Sequence, residues 1–198
     1  MRYQKHYITS FDMAKKRKQN KRVMLDIIKR VIKDKYIPNN QTIMTETDTG
    51  GKQGEMSCSI ECKDEEILLC SFDRKGNNEK LFPYFCPRDG YLSMCDYILF
   101  AEDNEKLFVF LIDLKDTTNS AKKQVEIAQT FASFITDRIS EIEGSANFPK
   151  PIEFRKIGIK TTHMKMTTKE YEKLAYDKDN YLVLPDYHHF YVRRYMDL

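Results

Sequence analysis

The chain of 198 residues carries 33 Lys and Arg against 30 Asp and Glu, a formal charge of +3, with 41% hydrophobic and 32% charged residues. That length fits one domain spanning 1–198, and that composition excludes collagenous, mucin-like and fully disordered chains. No apolar run reaches the length of a membrane span, and Met1-Arg2-Tyr3-Gln4-Lys5-His6 opens no run of the kind a secretory signal needs. The expectation is a cytoplasmic protein with no membrane partner.

The charge is unevenly spread. Residues 1–36 hold 12 Lys and Arg against Asp12, Asp26 and Asp34, a surplus of nine, so the other 162 residues carry −6. The densest run is Lys15-Lys16-Arg17-Lys18-Gln19-Asn20-Lys21-Arg22. A basic arm over 1–22 against an acidic remainder suits a polyanion; it suits a solvated helix start equally well.

Helical spacing of Met24, Ile27, Ile28, Val31 and Tyr36 predicts a helix over 20–36, stopping before Pro38. Residues 38–55 are rich in Asn, Thr and Gly and read as a loop; Gly50, Gly51 and Gly54 lack the strand-to-helix setting of a phosphate loop. Strands are expected at 56–61 and 67–72, joined as a hairpin across a short acidic turn, followed by a turn at 74–78 and an irregular stretch at 81–90. A second hairpin is expected from 96–101 and 107–114 around Asp103-Asn104-Glu105-Lys106. Ala121, Val125, Ala128, Phe131, Ile135 and Ile139 predict a long helix over 120–140, ended by Gly144. A strand at 152–160, a short helix at 168–176 and an extended aromatic tail over 181–195 complete the order. This is the pattern of an α/β domain with a mixed central β-sheet flanked by helices.

Five cysteines, an odd number in a chain that is not short, argue against a disulfide framework. Cys58 and Cys62, with Cys86 and Cys95, are the zinc alternative, but no CxxC occurs and Cys70 is left over. In or beside strands, Cys58, Cys62 and Cys70 read more simply as small apolar residues.

The chemistry concentrates in 95–100 and 107–115, two runs apolar on both faces, as central strands covered on each side must be. Asp113, between Ile112 and Leu114, is out of place there, because a charge in such a strand is costly unless it is paired or binds a metal. Asp113 and Lys115 share a face. If the hairpin loop is 103–106, Glu102 faces Leu107 and Asp96 faces Asp113, with Cβ atoms ~4.5–5.5 Å apart. Two carboxylates so placed suit Mg²⁺ or Mn²⁺, with Lys115 beside them to position a water and stabilise developing charge. A fraying strand end with Asp113 paired to Lys115 is the plainer alternative, and a one-residue slip would put Asp96 on the other face.

Asp96, sixteen residues, then Asp113-Leu114-Lys115 resembles the D…(D/E)-x-K signature of the restriction-endonuclease-like PD-(D/E)xK nucleases, over about residues 90–140 and more loosely over the whole order of elements. The resemblance implies a restriction-endonuclease-like fold in which the first acid opens one strand and the (D/E)-x-K closes its neighbour. It implies Asp96 and Asp113 as ligands of Mg²⁺ or Mn²⁺ and as catalytic residues with Lys115 and Gln124, the last on the following helix, where Lys122 or Lys123 also stands near the site. Cys95 stands where the family has Pro, and for the Glu that many members carry on the preceding helix the chain offers only Asp26, Glu55 or Glu61. Pro185-Asp186 has no acid-x-Lys after it, and Asp89, in a loop, is a weaker rival to Asp96.

The tail, Tyr187-His188-His189-Phe190-Tyr191-Val192-Arg193-Arg194-Tyr195, mixes aromatic and basic groups and reads as an aromatic-basic strand that packs on the domain rather than one that stacks on bases. The function expected is hydrolysis of DNA phosphodiesters by a divalent-metal-dependent nuclease serving restriction, repair or defence against foreign DNA. Lys15, Lys16, Arg17, Lys18, Lys21, Arg22, Lys122 and Lys123 would hold the backbone. DNA is favoured over RNA, and a second copy or an ATPase or targeting subunit is an expected companion. The alternative is an inactive member of the same fold acting as a binding or scaffold subunit.

Overall fold

The two apolar runs around Asp103–Lys106 pair as the sequence predicts. Strand β4 (Tyr97–Glu102) lies antiparallel to β5 (Leu107–Leu114), in the register from Tyr97↔Ile112 to Glu102↔Leu107. Asp103 closes the turn through Oδ1, which accepts the N–H groups of Glu105 and Lys106, each at 2.8 Å. Every residue of both strands is buried. The computed structural model describes residues 23–46, 56–73, 82–86, 91–114, 118–160, 167, 169, 172–185 and 188–198.

Along the chain the described elements are α1 (Val23–Val31), a 3-10 turn (Asp34–Tyr36), β1 (Ile43–Glu46), β2 (Met56–Glu61), β3 (Glu66–Cys70), β4 and β5. There follow α2 (Thr118–Glu143), β6 (Ile152–Ile159), β7 (Tyr181–Leu184), β8 (His189–Tyr191) and α3 (Val192–Asp197). They make two mixed sheets and, among the described residues, three α-helices. The larger sheet has the order β3-β4-β5-β6-β7, antiparallel from β3 to β5 and parallel from β5 to β7. The smaller has the order β1-β2-β8, with β1 antiparallel and β8 parallel to β2. Among the described residues no helix is long and apolar enough to cross a membrane.

The larger sheet is buried on both faces. On one face Ile98, Phe100, Leu107, Val109 and Leu111 pack with Met24, Ile28, Val125 and Ala128 of α1 and α2. On the other, Leu99, Phe108, Phe110 and Ile112 pack with Met44, Cys58 and Ile60 of the smaller sheet and with Val192, Tyr195 and Met196 of α3. The sandwich explains why β4 and β5 are apolar at successive positions rather than alternate ones.

Several expectations are corrected. Residues 56–61 and 67–72 do not form a hairpin, because β2 and β3 belong to different sheets. Leu68, Leu69 and Cys70 are buried in succession, as in a strand covered on both faces, whereas β2 alternates buried Cys58 and Ile60 with Ser57, Ser59 and Glu61. The expected loop over 38–55 contains β1, whose Met44 is fully buried. The helix expected over 20–36 ends at Val31, and Ile32 takes up the burial while Val31 is 54% exposed. Of the helix expected at 168–176, Lys169 is helical, residues 172–173 form a turn and 174–176 are irregular. The tail is extended only as far as Tyr191. From Val192 it is helical, with Val192, Tyr195 and Met196 inward at i, i+3 and i+4 and Arg193 paired to Asp197 at 2.9 Å on the outside. The long helix extends from Thr118 to Glu143, and Gly144 ends it at φ 79°, in the left-handed region that glycine tolerates.

Candidate functional site

The β4–β5 ladder, continued by one step past Tyr97↔Ile112, sets Asp96 opposite Asp113. Alternation along β5 places Asp113 with Leu111 and Val109, on the face that α2 covers, while Asp96 stands just before β4, next to Cys95, which is buried on that face. Asp113 is fully buried and Asp96 is 8% exposed. Oδ2 of Asp96 accepts the backbone N–H of Leu114 at 2.5 Å, which ties the start of β4 to the end of β5. Both acids follow from local sequence: the tight turn sets the register, and the register brings them together.

Two further strands complete the surroundings. Asp113 pairs with Gly158 of β6, and Gly158 pairs with Val183 of β7, so the three share one row and one face. Tyr181, in the adjacent row, reaches diagonally across Gly158. A Cβ placed on Gly158 would collide with Tyr181 Oη and lie 3.0 Å from its Cζ. The hydroxyl thus fills the place of the missing side chain next to Asp113. Among the described residues it has no hydrogen-bond partner. Burial, then the negative charge of Asp113, push its pKa up to about 12, with Lys122 acting the other way. The phenol therefore remains a donor at neutral pH.

Acidic charge also gathers around Cys95. Burial raises this thiol well above its ordinary value, and Asp96, Asp113 and Asp73 raise it further. Asp73 follows β3, three residues beyond the pair Cys70↔Ile98. Sequence reading missed it, and missed Gly158 and Tyr181; the available signal for Asp73 was an acid directly after the strand that neighbours β4.

The remaining predicted residues divide as follows. Gln124 sits half-buried in the second turn of α2, one residue before the buried Val125, so it stands on the helix that faces Asp113. Lys122 pairs with Asp179 at 2.6 Å and Asp177 at 3.3 Å, and its ammonium lies 5.6 Å from the Tyr181 ring centroid. Lys123 is exposed. Lys115, and the basic run Lys15, Lys16, Arg17, Lys18, Lys21 and Arg22, lie outside the described residues, as do Asp89, Glu55 and Asp186. Asp26 and Glu61 are exposed.

The cysteines do not converge. Cys58 is buried with the layer under the smaller sheet, Cys70 and Cys95 are buried on the α2 face, and Cys62 and Cys86 are exposed. In the tail, Phe190 packs edge-on to Phe110 at 5.5 Å and against Tyr195 at 4.8 Å, while His189 points outward to Glu61 at 3.1 Å.

Asp96 and Asp113 offer hard oxygen donors of the kind Mg²⁺ and Mn²⁺ prefer. Among the described residues no group of three His, Cys, Asp or Glu is gathered to hold a metal ion. A two-carboxylate donor set fits a cation that keeps several waters and shares its shell with substrate phosphate. Compared with family models, curated proteins and solved structures, the chain gives no match in any of the three.

Proposed function

We propose that the protein is a divalent-metal-dependent nuclease of restriction-endonuclease-like fold that hydrolyses phosphodiester bonds in DNA. The observation that carries this reading is the meeting of Asp96 and Asp113 at one end of the β4–β5 ladder, where Asp96 accepts the N–H of Leu114, the residue after Asp113. The larger sheet supports it: after α1 and the two strands of the smaller sheet come three antiparallel strands, a long helix, then a parallel strand, with one acid just before the middle antiparallel strand and the other near the end of its neighbour. That is where the PD-(D/E)xK resemblance expects its two acids.

Asp96 and Asp113 would hold Mg²⁺ or Mn²⁺, which supplies Lewis acidity toward a phosphoryl oxygen and a more acidic water. Lys115, two residues beyond Asp113, would orient the attacking water and offset charge on the phosphoryl group. The water oxygen bonds to phosphorus, the bond to the leaving sugar oxygen breaks, and the water's protons pass to solvent and to that leaving oxygen. Lys15, Lys16, Arg17, Lys18, Lys21, Arg22 and Lys123 would contact backbone phosphates without reading sequence. Lys122 is already engaged by Asp177 and Asp179 and contributes less to that surface.

The test is cleavage of a short duplex in Mg²⁺ or Mn²⁺ by the wild type, by Asp113→Ala and by Lys115→Ala. The reading expects product from the wild type and at least a hundredfold less from either variant, on the scale of general acid–base and charge-stabilising groups. Binding of the duplex without cleavage in either metal would favour an inactive binding subunit.

A further inference from the structure

Two features near Asp113 are unusual for a sheet buried on both faces. Gly158 occupies an interior strand position, where glycine weakens a sheet and usually marks a close approach. Tyr181 is 6% exposed, yet among the described residues its hydroxyl meets no hydrogen-bonding group. Buried hydroxyls are ordinarily satisfied, because leaving one unmet costs about 1–3 kcal/mol. The two features are one arrangement, since the absent Cβ of Gly158 is what admits the phenol to the row that holds Asp113.

We propose that Tyr181 is a positioning residue of the Asp96–Asp113 site, donating its hydroxyl hydrogen to an oxygen ligand, from water or from a phosphate, that is seated beside Asp113. The inference rests on the nuclease reading and adds a residue to it. The phenol stands in the row next to Asp113 without bonding any described group directly. An oxygen held between the two would receive one hydrogen bond from the phenol and face the carboxylate on its other side. Donors of this second layer orient the ligands of a cation, and their loss commonly costs about 10–100-fold in metal affinity. Packing alone would be served equally by phenylalanine.

The test compares the wild type with Tyr181→Phe, which keeps the ring and removes only the donor. Mn²⁺ calorimetry should show affinity reduced about tenfold in Tyr181→Phe. In wild-type protein labelled with ¹³C at the tyrosine Cζ, Mg²⁺ should move the Tyr181 resonance, assigned by its absence from Tyr181→Phe. A shift with Mg²⁺ alone identifies a water oxygen; a shift that needs Mg²⁺ and a short duplex together identifies a phosphate oxygen. If the wild type binds Mn²⁺ through Asp113 while the Tyr181 resonance stays fixed and Tyr181→Phe binds equally well, the inference is overturned and the nuclease reading stands. If the wild type binds no Mn²⁺ with or without the duplex, both are overturned together.

Discussion

Asp96 accepts the N–H of Leu114 at 2.5 Å, across the end of a ladder that otherwise pairs only apolar side chains beyond Glu102. The bond clamps the strand end at the position where Asp113 must stand. A carboxylate spent on the backbone of the neighbouring strand holds its own orientation, and so the orientation of the pair. An α/β domain seeking stability alone would place apolar residues at both positions.

Removing the charge at 113 should therefore separate stability from function. Asp113→Asn is expected to abolish metal binding while leaving the metal-free protein folded, with a stability within about 1 kcal/mol of the wild type. Urea unfolding in EDTA and Mn²⁺ calorimetry, with the two proteins side by side, measure this. A variant that fails to fold, or that binds the metal as the wild type does, would contradict it.

The contact between Gly158 and Tyr181 predicts a non-additive pair. Gly158→Ala should cost about 1–3 kcal/mol, because the new methyl meets the phenol oxygen. Tyr181→Phe alone should be neutral or stabilising, because it removes a buried hydroxyl that meets no described partner, and in its background the cost of Gly158→Ala should fall by about 1 kcal/mol. Denaturant midpoints of the four proteins give the coupling; strict additivity would mean that the backbone at Gly158, not the phenol, sets the cost.

Glu102 predicts a pH dependence. Its carboxylate accepts from Lys150 Nζ at 2.5 Å and from the N–H of Leu25 at 3.2 Å, joining β4 to α1 and to the loop before β6. Burial nevertheless holds its pKa above the ordinary 4.5, outweighing Lys150 and the Leu25 amide. The folded chain thus binds this proton more tightly than the unfolded chain does. The resulting stability is fully present below about pH 4.5 and is lost as pH rises through the folded value. Glu102→Gln should remove that slope, so that its stability relative to the wild type improves as pH rises above 4.5. Urea midpoints between pH 4 and 8 decide it; parallel curves for the two proteins would contradict the assignment.

Thiol labelling tests the layering. Cys86 and Cys62 are exposed, but partial burial followed by the charges of Glu65 and Glu61 pushes the Cys62 thiol up to about 11. Iodoacetamide at pH 7.5 should modify Cys86 first and Cys62 more slowly, because the thiolate is the reacting form. Cys58, Cys70 and Cys95 should react only on unfolding. Mass spectrometry of the time course reads all five, and early labelling of Cys95 would contradict the packing around Asp113.

What could be read from sequence was set by distance along the chain. The register of β4 on β5 was legible because four residues, Asp103 to Lys106, join two adjacent apolar strands. The long helix was legible from its own periodicity. The pairing of Ser59 with His189 was not, because nothing local to either names a partner 130 residues away. The hairpin expected from 56–61 and 67–72 failed because nearness in sequence outweighed a difference in pattern: alternating burial in β2, continuous burial in β3. Tyr181 and Gly158 escaped notice because their meeting depends on the parallel register of β6 and β7, which side-chain types alone do not encode.

The most direct test of the central claim is calorimetric titration of Mn²⁺ into the wild type and into a folded Asp113→Ala variant, each alone and with a short DNA duplex. The account predicts binding in the wild type that is lost in the variant. Equal binding in both, or none in the wild type even with the duplex present, would contradict it.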